Sequence, residues 1–403
     1  MTTELPDSPP AERTLPPATV LQLSTMVPPA RFGGAERVIA WTTEELERAG
    51  MRVHNAGLRN RRAATGDDGA HPIPNVFWPF EGPRRGVVRR TAWHAIDSCT
   101  LAARRVVERL VDQVRPSVVV THNLRGWGLA PWVVAGERDL PLVHVVHDYG
   151  LICHTSALWR GEACESLCRP CTVRRRATHR RWPGGSVVGV SRAVLDEHAR
   201  LGADFVRGGL VIHPGAAATP VTAPHPRRVR REGTPCTLGY LGRIDDAKGL
   251  HVLLAALRGC SQRLLVAGSG EEAYVRRLRA GCGENVRWLG WAEPTALFQQ
   301  VDVLVVPSLW KEPFGLVVVE AARSGVPVLI ADRPGLVEAA RWAGARYLTF
   351  PAGDIDALRV ALVRSTADYR VQPAPERSAH LVDVVRRAAE GRAPAGGRPP
   401  AEP

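Results

Sequence analysis

Short apolar runs alternate with amphipathic stretches along most of the chain, from about residue 18 to residue 366. This alternation is typical of strand–helix–strand units, which build a parallel sheet covered by helices on both faces. The pattern predicts an α/β protein with five strands in the first half and six in the second. The predicted strands are 19–25, 51–56, 117–123, 142–148, 186–191, 236–242, 263–270, 286–291, 303–308, 327–332 and 345–350.

The two halves are separated by residues 215–235, a segment with four prolines and no hydrophobic period, which predicts a linker. Doubly wound units bind ligands at the carboxyl ends of their strands, and two such units can face each other across a cleft. We therefore expect the functional residues directly after strands. The predicted division is a domain at 18–205, a domain at 206–370, a helix at 371–390 that crosses back onto the first domain, and disordered tails at 1–17 and 391–403.

The composition is that of a folded protein. Of 403 residues, 45% are hydrophobic and 23% are charged, which excludes a disordered chain, and the length excludes a disulfide-stapled miniprotein. No apolar run approaches the ~18–20 residues that span a bilayer. The acidic, proline-rich start also lacks the features of a signal peptide. The sequence therefore predicts a cytoplasmic protein.

The net charge is +13, and of the 53 lysines and arginines only Lys248 and Lys311 are lysines. We interpret the arginine excess first as a sign of a GC-rich genome. A basic balance permits binding to phosphates, nucleic acid or acidic lipids, but it does not choose among them. Each of the two lysines lies beside one of the two motifs described next.

The segment from Trp310 to Glu320 directly follows a predicted strand and carries two glutamates, Glu312 and Glu320. A turn precedes an apolar helix there, and free amides at a helix start form a site for an anion or a polar sugar. The amides at this start are those of Phe314, Gly315 and Leu316. Taken alone, the two glutamates could equally flank a turn and lie on a solvated helix face.

These residues resemble the retaining nucleotide-sugar glycosyltransferases of the GT-B fold, in particular the large fourth family of the sequence-based classification. Its hallmark is two glutamates separated by seven residues, with Phe-Gly after the first, as in Glu312 to Glu320. The resemblance implies two Rossmann-like domains facing across a cleft. It also implies that Glu312 and the following amides hold the transferred sugar, and that Glu320 binds the ribose of the nucleotide.

A second motif, residues 239–250, resembles the family's Gly-Arg followed by Lys-Gly at a strand-to-helix junction. A departing nucleoside diphosphate gains negative charge in the transition state, so fixed cations aimed at it lower the barrier. We assign this role to Arg243 and Lys248. The alternative is two surface cations near a helix start, where the helix dipole disfavours them.

The first half supplies four further candidates. Gly33 and Gly34 follow the first strand and open a helix, and the resemblance implies a glycine-rich loop there that closes over the diphosphate. His122 and His147 each end a predicted strand, where a side chain can point into the cleft. The family has a histidine at the matching strand end, so we assign His122 an active-site role and take His147 as the second choice. Either could instead be a structural histidine.

Four cysteines fall close together after His147-Asp148-Tyr149: Cys153, Cys164, Cys168 and Cys171. Four thiolates in one loop could hold a structural zinc ion, and a disulfide or free thiols are the alternatives. The resemblance implies that catalysis itself requires no metal or other cofactor.

Six arginines between Arg169 and Arg181 form the densest cationic patch, next to Trp182. A solvated loop is the plain interpretation, and a peripheral membrane contact or an anionic acceptor are the functional ones. The patch lacks any nucleic-acid reader motif, so we expect no nucleic-acid partner.

The sequence thus predicts a retaining glycosyltransferase that moves a hexose or N-acetylhexosamine from a UDP-linked donor to an acceptor hydroxyl. A small natural product such as an aminoglycoside intermediate is the favoured acceptor, and a cell-envelope glycan or lipid-linked glycan is the alternative. A catalytically idle GT-B binding protein is the alternative of another class. The sequence departs from the family pattern in two places. Before the linker, His213-Pro214-Gly215 stands in place of the common Pro-Asn-Gly, and residues 333–338, ending in Glu338, keep only one glycine of the family's Gly-Gly then Glu pattern.

Overall fold

The computed structural model describes residues 17–26, 33–60, 69–77, 79, 86–97, 101–214, 236–364, 369–372 and 379–391. The predicted linker and nearly all of the two predicted tails lie outside these residues. No described helix is long and apolar enough to cross a membrane.

The first half forms a seven-stranded sheet in which every pair of neighbouring strands is parallel. Its order is β3-β2-β1-β4-β5-β6-β7. This order reverses direction between β1 and β4, which is the doubly wound arrangement with its ligand crevice at the switch point. The strands are β1 (Thr19–Leu23), β2 (Arg52–Arg59), β3 (Ala70–Pro72), β4 (Val118–Thr121), β5 (Leu142–Val146), β6 (Ser186–Gly189) and β7 (Leu210–Val211).

The second half repeats this arrangement in a second seven-stranded sheet, of order β10-β9-β8-β11-β12-β13-β14. Only the last strand, at the edge, runs antiparallel to its neighbour. The strands are β8 (Thr237–Leu241), β9 (Arg263–Ala267), β10 (Val286–Gly290), β11 (Val303–Val306), β12 (Val328–Ala331), β13 (Arg346–Phe350) and β14 (Arg370–Val371). We call the two sheets with their helices the first and second domains.

Thirteen described α-helices cover and connect the sheets. In the first domain they are α1 (Gly34–Arg48), α2 (Val87–Asp97), α3 (Leu101–Val114), α4 (Ala130–Glu137), α5 (Arg169–Arg181) and α6 (Arg192–Arg200). In the second they are α7 (Leu250–Ala256), α8 (Glu272–Ala280), α9 (Pro294–Phe298), α10 (Leu316–Arg323), α11 (Pro334–Trp342) and α12 (Ile355–Leu362). The last helix, α13 (Leu381–Ala389), packs against α1, β4 and β5 of the first domain.

The predicted fold class is confirmed, and each of the eleven predicted strands overlaps a strand of the structure. The central strands are buried along their whole length, as expected for parallel strands covered on both faces. The sequence pattern missed the edge strands β3, β7 and β14, because two or three residues are too few to show a period.

The arginine-rich segment is helix α5, so its interpretation as a loop was wrong. Arg174 in this helix is buried, and its Nε atom donates to the carbonyl oxygen of Gly150 at 3.0 Å. The Arg175 side chain donates to the carbonyl oxygen of Gly202 at 2.8 Å. Two of the six arginines therefore fix α5 to neighbouring loops.

The carboxylate of Glu338 in α11 connects the two domains. It accepts hydrogen bonds from the backbone amides of Arg192 and Ala193, at 2.6 and 2.9 Å, and so caps the start of α6. Its Oε1 atom also lies 2.8 Å from Nε2 of His213. The region ending in Glu338, where the sequence departed from the family pattern, thus holds the domains together.

Gly335 allows α11 to approach residues 307–315, which we call the donor loop. A Cβ atom at Gly335 would lie 2.0 Å from the carbonyl oxygen of Glu312. Alanine is favoured over glycine inside a helix by about 1 kcal/mol, but contact with a backbone atom cannot be relieved by a side-chain movement.

We therefore expect Gly335→Ala to lower the free energy of unfolding by about 2 kcal/mol or more. Urea unfolding measures this change. Gly86→Ala is the control, because in the described part of the chain no atom beyond the neighbouring residues lies within 4 Å of the added Cβ there. Equal stability of the two variants would contradict the close approach.

Candidate active site

The donor loop carries a buried ion pair. Nζ of Lys248 lies 2.6 Å from Oε1 of Glu312, and the Ser308 hydroxyl donates to the same oxygen at 2.7 Å. The Lys248 ammonium also lies 5.0 Å from the ring centre of Trp310, within range of a cation–π interaction. The structure thus brings together two residues that the sequence assigned to different motifs.

The backbone fixes this pair from both sides. Lys248 ends a short 3-10 helix that Asp245 caps, and Gly249 follows in the left-handed region at φ 69°. A Cβ atom at Gly249 would lie 2.0 Å from the carbonyl oxygen of Pro307, so only glycine permits this approach of the Lys248 turn to the donor loop. Lys248 is therefore held against Glu312 by local chain geometry.

Glu312 is ionised in this environment. Burial raises the pKa of its carboxyl group, but the charge of Lys248 and hydrogen bonds from Lys248 and Ser308 outweigh burial and hold the pKa below its usual value. An ionised carboxylate accepts hydrogen bonds only, so it suits the hydroxyl groups of a sugar.

The starts of two helices meet beside this pair. Gly315, at φ 115°, caps α10, and the side chain of Leu316 faces Gly34 at the start of α1. A Cβ atom at Gly34 would lie 3.1 Å from Cδ1 of Leu316. The N-termini of two helices, one from each domain, thus lie side by side, and the positive end of each helix dipole favours an anion nearby.

Phe314 and Gly33 contribute through their backbones. The Phe314 ring is buried against His213 and Trp342, at ring-centre distances of 5.6 and 6.2 Å, so only its main chain can face a ligand. The carboxylate of Glu36 lies beside Gly33, where an added Cβ atom would be 3.4 Å from its Oε2 atom, so an incoming anion would compete with Glu36. Arg31 and Phe32, which precede the two glycines, lie outside the described residues.

Glu320 is buried in α10, 3% exposed, and is not the solvated helix residue of the plain interpretation. Its Oε1 atom accepts a hydrogen bond from the Arg37 side chain at 2.6 Å. Sequence reasoning missed Arg37. The available signal was a cation close to the start of α1, where the helix dipole disfavours positive charge and an acidic partner is needed.

Arg243 stands apart from the buried pair. Its side chain is 66% exposed and lies 3.4 Å from Asp245. It lines an open cleft of about 490 Å³ together with Ser269, Glu271 and Tyr274. Arg243 therefore borders the same strand ends as Lys248 but remains available to an anion in the cleft.

His122 and His147 form a buried pair at the ends of β4 and β5. Nδ1 of His122 lies 2.7 Å from Nε2 of His147, so one of these two nitrogens carries a hydrogen that the other accepts. Burial lowers the pKa of His147 to about 3, and burial together with neighbouring histidines holds the pKa of His122 well below its usual value. Both rings are thus neutral at pH 7.

His122 has one ring nitrogen left over. Its Nε2 atom is buried and makes no hydrogen bond with any described residue, and His122, His147 and Asp148 line a small cavity of about 20 Å³. This volume accommodates one water molecule or one hydroxyl group. His122 therefore lines this cavity at the end of β4, and the hydrogen bond with His147 fixes the orientation of its ring.

The cysteine cluster belongs to the loop whose first residues, Gly150 and Leu151, line the same cavity. Sγ of Cys153, Sγ of Cys171 and a ring nitrogen of His154 all lie within 4.8 Å of one another. Cys164 and Cys168 are half-buried next to them and do not join this closest group. The sequence predicted the four thiols and missed His154.

Two family models match the chain: Glycosyl transferases group 1 over residues 235–368, and Glycosyltransferase Family 4 over residues 32–216. The chain is a family 4 glycosyltransferase. It therefore uses a nucleotide-sugar donor, and the resemblance stated from the two motifs is confirmed.

Relatives by sequence agree with this family. The glycosyltransferase is 26% identical over 353 residues to an uncharacterised 42.6 kDa protein in the cps region of Klebsiella pneumoniae, covering 84% of this chain and 92% of the relative. It is 37% identical over 136 residues to a phosphatidyl-myo-inositol mannosyltransferase of Mycobacterium leprae, covering 32% and 36% of the two chains.

Solved structures share the GT-B fold. Anabaena HepE in complex with UDP-glucose matches the glycosyltransferase with a TM-score of 0.59 at 16% identity, covering 93% of this chain and 99% of HepE. The lipopolysaccharide outer core galactosyltransferase WaaB matches with a TM-score of 0.52 at 17% identity, covering 93% and 95%.

The Lys248–Glu312 pair gives a test that separates stability from catalysis. Lys248→Met leaves a buried carboxylate without its cation and should cost about 3 kcal/mol, the lower end for a buried pair, because the Lys248 side chain is 21% exposed. Lys248→Met/Glu312→Gln removes both charges and should recover most of that loss.

Neither variant should recover activity, and we expect kcat to fall by about 10²–10³-fold in both. Urea unfolding and steady-state kinetics measure the two effects. Arg276→Met is the control, since its exposed pair with Glu272 contributes little to stability. Near-normal turnover of the double variant would show that the pair is only structural.

The histidine pair predicts the pH dependence of stability. Unfolding lets His147 take up a proton near pH 6.5, whereas the folded ring does so only near pH 3. The unfolded chain thus binds more protons in this window, so the stability contributed by neutral His147 is complete above about pH 6.5 and is lost as the pH falls.

Each pH unit in this window should cost up to about 1.4 kcal/mol per such histidine. His147→Gln should therefore reduce the loss of stability between pH 6.5 and pH 5, measured by urea unfolding at each pH. His380→Asn, at an exposed position, serves as the control. An unchanged slope in His147→Gln would contradict the assignment.

Proposed function

We propose that the chain transfers a hexose or N-acetylhexosamine from a UDP sugar to a hydroxyl group of a cell-envelope glycan or lipid-linked glycan, with retention of the anomeric configuration. The observation that carries this proposal is the buried Lys248–Glu312 pair beside two converging helix starts. This arrangement supplies a fixed cation, a fixed carboxylate and free amides, which match the diphosphate and the sugar of the donor.

The chemistry follows from the charge that develops on the leaving group. As the sugar–phosphate bond breaks, negative charge grows on the diphosphate, and preorganised donors aimed at that charge lower the barrier. Lys248, Arg243 and the amides at the starts of α1 and α10 are these donors. Glu312 orients the sugar through its hydroxyl groups, and Glu320 receives the ribose.

The proton of the acceptor needs no protein base in this scheme. In retaining transfer on one face of the sugar, the leaving phosphate can take the proton as the acceptor oxygen bonds to the anomeric carbon. The two buried histidines support this assignment, because burial keeps them neutral and a shared proton joins them. His122 then positions the sugar or the acceptor through Nε2.

The relatives bear on the donor and the acceptor. HepE is complexed with UDP-glucose, which favours a UDP sugar here. The Klebsiella relative lies in a cps region, the Mycobacterium relative is a phosphatidyl-myo-inositol mannosyltransferase, and WaaB acts in the lipopolysaccharide outer core. These names favour an envelope acceptor over the aminoglycoside intermediate that the sequence suggested.

Donor binding provides the first test. Calorimetry with UDP, GDP and ADP should give the tightest binding for UDP, and Glu320→Ala and Lys248→Ala should each weaken it at least tenfold. Arg276→Met should bind like the unaltered protein. Absence of binding to every nucleoside diphosphate would overturn the proposal, and so would unaltered binding in both site variants.

Turnover provides the second test. The protein is incubated with UDP sugars and two acceptor panels, and mass spectrometry detects the product. The first panel holds lipid-linked or inositol-containing glycans and should yield product, whereas the second holds aminocyclitol natural products. The anomeric coupling in the NMR spectrum of the product should report retention. Product with only the second panel would overturn the envelope acceptor. Donor binding without transfer or donor hydrolysis would favour the catalytically idle alternative.

A further inference from the structure

The cysteine loop, residues 150–171, gathers donor atoms that the glycosyl transfer does not use. Sγ of Cys153, Sγ of Cys171 and a ring nitrogen of His154 lie within 4.8 Å of one another, with Nδ1 of His154 3.3 Å from Sγ of Cys171. Both cysteines are buried, with 4% of their surfaces exposed. Each of the seven cysteines in the described residues is a free thiol, so no disulfide accounts for the cluster.

The two remaining thiols of the loop lie at the edge of the same cluster. The thiol of Cys171 lies near the thiols of Cys153 and Cys168, and Cys164 is near enough to Cys153 and Cys168 to interact with them electrostatically. Cys168 caps α5 and Cys171 follows three residues later, a spacing that places both on one side of a helix start. Two further sulfurs thus lie next to the closest group of two sulfurs and one imidazole.

The surrounding backbone holds this arrangement. The amide of Cys153 donates to the carbonyl oxygen of Tyr149 at 2.8 Å, and the amide of Cys164 donates to that of Leu158 at 2.8 Å. The Thr178 hydroxyl of α5 donates to the carbonyl oxygen of Leu151 at 2.9 Å. The donors therefore come from three chain segments that are already fixed to one another.

We propose that this cluster binds a zinc ion through Cys153, Cys171 and two of the three neighbouring donors, His154, Cys164 and Cys168. Thiolate and imidazole ligands are those that a structural zinc site uses, four at a time in a tetrahedron. Such a site is closed, so the ion contributes to folding and not to the transfer reaction.

The ion would also brace the contact between the domains. Glu165 lies between two of the cysteines, and its Oε2 atom lies 2.9 Å from Nζ of Lys311 in the donor loop. Nζ of Lys311 lies 2.8 Å from Glu197 of α6 as well, and Lys311 precedes Glu312 in the chain. A zinc ion that holds the cysteine loop in place would therefore also hold the carboxylate of Glu165, which pairs with Lys311 of the donor loop.

Metal content of the purified full chain tests the proposal directly. Under reducing conditions, elemental analysis should find about one zinc ion per chain, and removal of zinc by a strong chelator should lower Tm. Cobalt(II) added to the metal-free protein should give the visible bands of a tetrahedral ion with thiolate charge transfer.

Variants separate the cluster from the other thiols. The double variant Cys153→Ser/Cys171→Ser should abolish zinc and cobalt binding. Cys168→Ser keeps the buried pair of thiols and covers the case that the double variant fails to fold. It should lower the affinity for zinc at least tenfold or weaken the thiolate bands of bound cobalt. Cys236→Ser and Cys282→Ser, both outside the cysteine loop, should bind zinc normally.

Two results would overturn the proposal. One is a metal-free protein that takes up neither zinc nor cobalt in reducing buffer. The other is a disulfide between two cysteines of the loop, found by mass spectrometry in protein kept from oxidants. Neither result depends on the donor or the acceptor, so failure here is distinguishable from failure of the proposed transferase activity.

Discussion

The relative position of the two domains depends on the carboxylate of Glu338. It satisfies two backbone amides at the start of α6 and pairs with His213, so three donors of the first half of the chain converge on one side chain of the second domain. Free amides at a helix start that is packed against another domain are costly when unpaired. This contact therefore helps to hold the two domains at the separation at which the starts of α1 and α10 meet.

Much of the fold follows from the sequence because parallel strands are short, buried and separated by helices, a pattern that a chain displays locally. The strand ends carry His122 and His147, and the turns carry Gly249 and Gly315, so these positions are also predictable. The pairing of the two histidines is not, since it depends on how β4 and β5 align.

Contacts between domains escape sequence reasoning for a physical reason. Arg37 and Glu320 are 283 residues apart and meet only because two separately folded sheets pack in one orientation. Glu338 shows the same limit: the sequence marks its region only as a departure from the family pattern, yet its partners are amides of α6. Residue types indicate what a side chain can bind, whereas the packing of the domains decides what it meets.

If Glu320 binds the ribose as proposed, its pairing with Arg37 has a consequence for the release of the spent nucleotide. A buried carboxylate without a partner is unfavourable, so an enzyme that used Glu320 only for ribose would hold its product tightly. Arg37 offers the same oxygen a partner whenever the ribose leaves. With that role for Glu320, the exchange would stabilise the empty enzyme, lower the net affinity for the product and favour turnover over product inhibition.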